Sequence, residues 1–143
     1  MKQVINTLLD SKEPSIQYKI RVHILEQNPD SHELIELQQK IKNSLRVKTL
    51  LSERNKKGEI PFWPYKKWFG AHWILVDLAD LDYPQNDDSL IPLREQVLSW
   101  LLSDNYLRLI TEINNITRIH ASIDGNAIYA LLKLGLADDR IDF

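Results

Sequence analysis

A turn that recurs at an interval of about 55 residues is the feature that most constrains how this chain can fold. Glu26-Gln27-Asn28-Pro29-Asp30, Leu81-Asp82-Tyr83-Pro84-Gln85 and Leu134-Gly135-Leu136-Ala137-Asp138 each follow an apolar segment and lead into an acidic start. Self-similarity at this period marks stacked helix pairs, each burying its apolar stripe on the next. It predicts an all-α fold of helix-pair repeats with about seven helices, as a single domain over residues 1–143. The third copy is short, because Asp138-Asp139 opens a helix and Phe143 follows at once. The reading therefore expects either a fragment of a longer array or an apolar helix face that needs a cap.

Apolar spacing places the helices. The first carries Val4, Ile5, Leu8 and Leu9, and the second starts at Pro14 and runs to about Gln27. In the second, Ile16, Ile20 and Ile24 make one stripe and Tyr18, Val22 and Leu25 another, which predicts burial on two sides. Asp30 and Glu33 read as a capping box before Leu34, Leu37 and Ile41. A fourth helix after Asn43-Ser44 points Leu45, Leu50 and Leu51 inward, and a loop spans Asn55 to Pro64. The fifth, from Tyr65 to Leu81, is the most apolar. Asp87-Asp88-Ser89 caps the sixth, which has Pro92 in its first turn and carries Leu93, Val97, Trp100 and Leu101. Between positions 108 and 120 the chain turns β-branched and alternating around Asn114-Asn115, a two-residue signal for one short β-hairpin. The seventh helix starts near Ser122 and stops at Gly135, a natural residue for a left-handed helix end.

Composition removes several chemistries. The chain has no cysteine, so it offers no disulfide, no thiolate nucleophile and no cysteine-containing zinc site. Its net charge is −2, and no nucleic-acid-reading motif is present, so no nucleic-acid partner is expected. No stretch approaches the roughly 20 apolar residues of a membrane span. The N-terminus lacks the apolar run of a signal peptide, which leads to a cytoplasmic expectation. His23, His32, His72 and His120 show no close ligand spacing, so neither metal nor cofactor is expected.

Three stretches are distinctive: Glu13-Pro14-Ser15-Ile16-Gln17-Tyr18, the run Pro61-Phe62-Trp63-Pro64-Tyr65-Lys66-Lys67-Trp68-Phe69-Gly70-Ala71-His72-Trp73, and Ser122-Ile123-Asp124-Gly125-Asn126-Ala127. Together they resemble bacterial squalene-cyclase-like or prenyltransferase-like proteins. The resemblance implies an α/α-toroid, here a partial one, with chemistry in a central apolar cavity. Triterpene cyclases of that kind carry Gln-x-x-Asp-Gly-x-Trp repeats and an Asp-x-Asp-Asp proton donor. Here the run Arg54 to Ile60 keeps only Gly58, and no Asp-x-Asp-Asp occurs. Protein prenyltransferases hold zinc partly through cysteine, which is missing. The resemblance thus implies the fold and leans against catalysis.

Candidate residues follow from these stretches. Tyr65, Trp68 and His72, with Trp63 and Trp73 beside them, could line an apolar cavity and stabilise a cation through their ring faces. Aromatic residues also simply fill cores, and Trp73 reads that way. His72 could be an acid–base group or a packed imidazole bonded to a carbonyl. Lys67, with Lys56, Lys57 and Lys66, could hold a phosphate or stand in solvent. Arg118, Ser122, Asp124 and Asn126 gather at the hairpin-to-helix junction, where a helix N-terminus suits an anion and where Ser122 or Asp124 could serve as the cap. Asp77, Asp80 and Asp82 form an acid cluster in which Asp77 and Asp80 share a helix face, as a diphosphate–magnesium pair would, but the cluster fits a solvated helix end better.

Two functions remain. One is a toroid domain that binds a hydrophobic small molecule such as an isoprenoid and lacks cyclase motifs. The other is a non-catalytic helical scaffold for a protein partner or for self-association.

Overall fold

The computed structural model describes residues 2–118 and 120–141, with the Arg118 side chain outside the description. Eight α-helices and one hairpin follow in chain order: α1 (Lys2–Leu9), α2 (Pro14–Lys19), α3 (His32–Lys42), α4 (Leu45–Leu50), α5 (Ala71–Asp80), α6 (Ile91–Leu101), α7 (Asp104–Leu107), β1 (Thr111–Ile113), β2 (Ile116–Arg118) and α8 (Ala121–Lys133). The mostly helical expectation holds, and α7 is an added helix that sequence spacing does not show. It is a single turn started by Ser103, whose hydroxyl accepts from the Tyr106 N–H at 3.3 Å.

α2 pairs with α3, α5 with α6, and α5 packs most broadly on α8. Their apolar stripes form one core: Leu34, Leu37 and Ile41 from α3, Ile74, Leu75 and Leu78 from α5, Leu93, Val97 and Leu98 from α6, and Ala127, Ala130 and Leu131 from α8. Each fully buried leucine among them contributes about 1.5–3 kcal/mol over leaving it exposed.

The recurring turns are real, and their backbone explains them. Glu26, Asp82 and Gly135 all adopt left-handed conformations, with φ of 52°, 56° and 65°. α5 ends with Asp82 N–H donating to Ala79 O at 3.1 Å and Tyr83 N–H to Leu78 O at 3.1 Å. α8 ends identically, Gly135 N–H donating to Leu132 O at 3.1 Å and Leu136 N–H to Leu131 O at 2.8 Å. Both are Schellman ends, which satisfy carbonyls that a helix leaves open. At Gly135 a side chain is excluded twice, by the positive φ and because a Cβ would strike the Asn86 side chain. The first turn differs, because α2 continues as a π-helical turn over Ile20–Ile24 before reaching Glu26. Pro29 consequently stands three residues after the left-handed position, whereas Pro84 stands two after.

Asp82 does more than end a helix. It is only 4% exposed, and its carboxylate faces Lys19 of α2 at 3.5 Å and Lys133 of α8 at 2.7 Å. The loop after it closes the end of α8: Gln85 Nε2 donates to Lys133 O at 3.0 Å and the Asn86 N–H to Leu134 O at 2.9 Å. On the far side of the same loop, Lys42 reaches Asp87 at 2.7 Å, joining α3 to the 3-10 turn (Asp88–Leu90) that leads into α6. The Asp87 side chain accepts from the Ser89 N–H at 3.0 Å, the cap expected there.

Several sequence expectations need correction. The solvated reading fails for Asp82, which is buried between two lysines. α3 starts after Ser31, so Asp30 does not cap it. Of the two stripes of the second helix only Tyr18 is buried; Val22 is half-buried, and Leu25, Ile16 and Ile24 are exposed. Leu45 is 80% exposed at the first position of α4, and Val47 is the inward residue instead. The hairpin forms as expected, pairing Ile113 with Ile116 across Asn114 and Asn115, whose φ of 54° and 60° suit a type I′ turn. The Ile119 end of that prediction and the last two residues lie outside the described residues.

Replacing Asp82 with Asn keeps a side chain that tolerates the left-handed backbone but removes the charge both lysines face. The expected loss is about 2 kcal/mol, seen as a lower urea midpoint with an unchanged m-value.

Candidate functional site

Tyr65 to Gly70, expected as the first turns of α5, instead complete a tight coil that begins at Pro61, within the expected loop. Two prolines break helix formation, and the coil folds back on itself. Lys66 N–H donates to Trp63 O at 2.8 Å, Gly70 N–H to Lys66 O at 2.7 Å, and His72 N–H to Pro64 O at 3.0 Å. Gly70 is required here, since a Cβ would lie 2.6 Å from Trp63 O and closer still to the Pro64 carbonyl. The coil thereby satisfies N–H groups at the start of α5 that a helix leaves open.

This fold-back sets Tyr65 among the rings of α5 and α6. Its centroid lies 5.1 Å from His72, 5.4 Å from Trp73 and 5.6 Å from Trp100, the last nearly parallel at 29°. Trp100 meets Trp63 edge-on at 5.4 Å and Tyr106 at 5.1 Å. Tyr106 in turn donates its hydroxyl to Asp124 Oδ1 of α8 at 2.7 Å and stands 6.3 Å from the His120 ring. Such offset and edge-to-face contacts each add about 0.5–1.5 kcal/mol beyond area burial. Between the coil, α6, α7 and the start of α8 they leave a cleft of about 420 Å³. Trp63, Tyr65, Trp100, Tyr106, Leu109, His120 and Ile123 wall it, with Ser103 and Asn105 at its polar edge.

His72 stands behind that wall, fully buried. Its Nε2 lies 3.0 Å from the Ile123 carbonyl, so Nε2 carries the proton and ties α5 to the first turn of α8. Nδ1 is then a buried acceptor with no partner among the described residues. Burial lowers the His72 pKa, and the Ile123 carbonyl and nearby Asp124 oppose that shift without cancelling it. The ring is neutral at pH 7 and works as a packed, hydrogen-bonded imidazole. Tyr106 is pushed up by burial first and by Asp124 second, so it stays a hydroxyl donor.

The structure brings together Tyr65, His72 and Asp124 of the sequence candidates, around Trp100 and Tyr106. It does not bring in the others. Trp68 packs on Trp73 at 4.6 Å but faces solvent, and Lys67 lies over the Trp68 ring at 5.2 Å. Ser122 is exposed in the first turn of α8, Asn126 is half-buried away from the cleft wall, and His120, not Ser122 or Asp124, occupies the cap position. The Arg118 side chain lies outside the described residues. Asp80 is exposed and accepts from the Tyr129 hydroxyl at 2.9 Å, while Asp77 is half-buried with its pKa raised by burial and then by Asp80. No cluster of three or more metal-ligating side chains occurs among the described residues.

Sequence reasoning missed Tyr106, Leu109 and His120 as wall residues and took Trp100 for plain core. Only Ser103, a helix-start signal before Tyr106, could have pointed to them. No protein-family model matches the chain, and no curated protein or solved structure matches it either.

Because the native state holds His72 neutral, its contribution to stability is complete above the unfolded pKa of about 6.5 and is lost as pH falls toward the lower folded value. The slope from this one group approaches about 1.4 kcal/mol per pH unit. Urea midpoints of the wild type should therefore drop between pH 7 and pH 5 more steeply than those of His72→Gln.

Proposed function

We propose that this chain forms part of a toroid-like helical array whose aromatic cleft binds a hydrophobic small molecule, without cyclase chemistry. The observation that carries the reading is the cleft wall itself: four large aromatic side chains, one leucine and one isoleucine, against three polar side chains, Ser103, Asn105 and His120. Its volume of about 420 Å³ falls within the roughly 300–1,000 Å³ of small-molecule sites. Aromatic faces favour an apolar chain and attract a cationic or electron-poor group carried on it. An isoprenoid has that character, and the sequence resemblance points the same way. Against catalysis stand the missing acidic motif and the placement of His72 behind the wall.

One observation favours the scaffold reading as a second. At the 53-position offset between Asp82 and Gly135, Val76 and Ala79, buried in α5, correspond to Tyr129 and Leu132 of α8, which are 40% and 57% exposed. Helix-pair arrays bury such faces on a neighbour. Under this reading the wild type sediments as a concentration-dependent oligomer and Leu132→Glu as a monomer.

For the ligand reading the probe is farnesyl diphosphate beside the free alcohol farnesol. Ligand at a hundred times its Kd stabilises by about 2.7 kcal/mol, a rise in Tm of roughly 5–11 °C for a domain near this size. Trp63→Ala should cut the shift, measured from the variant's own unliganded Tm, which the loss of its contacts with Tyr65 and Trp100 lowers. No shift with either compound at high concentration would sink the reading.

A further inference from the structure

The coil that builds the cleft also faces outward, and that outer side has a character of its own. Trp63, Trp68 and Phe69 are 59%, 58% and 59% exposed. Isolated exposed apolar residues are ordinary, whereas three large rings within seven positions mark a surface that meets something. Lys66 and Lys67 lie between them, and residues 60–70 contain no acidic side chain. Neither lysine forms an ion pair among the described residues. Lys66 instead holds its ammonium 4.3 Å from the Phe62 ring centre, and Lys67 5.2 Å from that of Trp68. Across the mouth of the cleft, Leu109 and its neighbours Leu107 and Ile110 are exposed as well, next to Arg108.

The choice of partner follows from the residue types. Protein-binding patches are depleted of lysine at their centres. Tryptophan with lysine is the pairing suited to a lipid headgroup layer, where an indole has an apolar body in the acyl boundary and a wet N–H. Lysine stems lie along apolar surface while their ammonium groups reach phosphates. The coil is also held rigid by its own hydrogen bonds and by the close approach at Gly70, so little ordering is needed on contact.

We propose that the Trp63–Phe69 coil docks the protein on an anionic lipid bilayer, with the three rings at headgroup depth and Lys66 and Lys67 on lipid phosphates. The cleft mouth then lies beside the bilayer, because Trp63 belongs to both surfaces. The docking does not depend on what the cleft binds.

The test uses the full chain with vesicles of phosphatidylcholine alone or mixed with phosphatidylglycerol, followed by co-sedimentation and tryptophan emission. Binding with a blue shift is expected on the mixed vesicles and should weaken in high salt. Lys66→Glu with Lys67→Glu should lower affinity by about 30-fold or more, from about 1 kcal/mol for each lysine. Trp68→Ser with Phe69→Ser should abolish the blue shift. Both double variants should keep the wild-type circular dichroism, the lysine pair with the wild-type Tm and the ring pair with a Tm lowered by the lost Trp68–Trp73 and Phe62–Phe69 contacts. Absence of binding to either vesicle overturns the proposal, as does wild-type binding by the variants. Conversion of a lipid-free dimer to a monomer by those same variants also overturns it, and reassigns the coil to self-association.

Discussion

The carboxylate of Asp82 is the point on which the arrangement of helices depends. α5 ends there in a left-handed turn, a conformation costing a residue with a side chain about 1–2 kcal/mol. Glycine would avoid that cost, as Gly135 does at the matching position of α8. The aspartate is offset by what it holds, since Lys19 and Lys133 bring α2 and α8 to the same end of α5. Lys133 also stands at the C-terminus of α8, where the backbone dipoles favour positive charge. One buried acid thus ties three neighbouring helices together, and the Gln85-Asn86 loop beside it closes the carbonyls of α8.

The opposite end of α5 is fixed by different chemistry. There the His72 to Ile123 bond and the Tyr106 to Asp124 bond join α5 and α7 to the start of α8, inside a shell of rings. α5 and α8 are therefore clamped twice, by charge at their C-terminal ends and by aromatic packing at their N-terminal ends. The cleft opens only at the aromatic end. Because its walls are shared among the coil, α6, α7 and α8, its shape follows from the register that the charged end sets.

How far the sequence foretold this can be judged residue by residue. The turn repeat, Gly135, Pro92 and the Asn114-Asn115 hairpin were legible because each is a local backbone requirement carried by one or two residues. Asp82 was not, since its spacing on a polar helix end looks like solvent exposure. Its burial comes from lysines 63 and 51 positions away. Tyr65 to Phe69 continue an apolar period and so read as helix. The carbonyl of Pro64 capturing the His72 N–H overrides that local preference. Of the site, Tyr65, His72 and Asp124 could be named from distinctive runs. Trp100, Tyr106 and His120 could not, because nothing near them in sequence shows that three helices and a coil meet there.

Charge shows the same limit from another side. A net of −2 argues against attraction to anions when the chain is taken whole. Screening at physiological salt, however, confines what a surface feels to about 8 Å. Within that distance the relevant count is local, and the Pro61–Gly70 coil contributes two lysines and no acid. Several acids elsewhere are paired: Asp82 with Lys19 and Lys133, Asp87 with Lys42, and Glu95 with Arg94 and Arg140. The arginine Arg140, paired first, holds Glu95 well below the usual carboxylate range, at about 2. Such pairing offsets those acids at the helix contacts, while Lys66 and Lys67 of the coil form no ion pair among the described residues. The charge that the coil presents at short range therefore follows from its own two lysines rather than from the net charge of the chain.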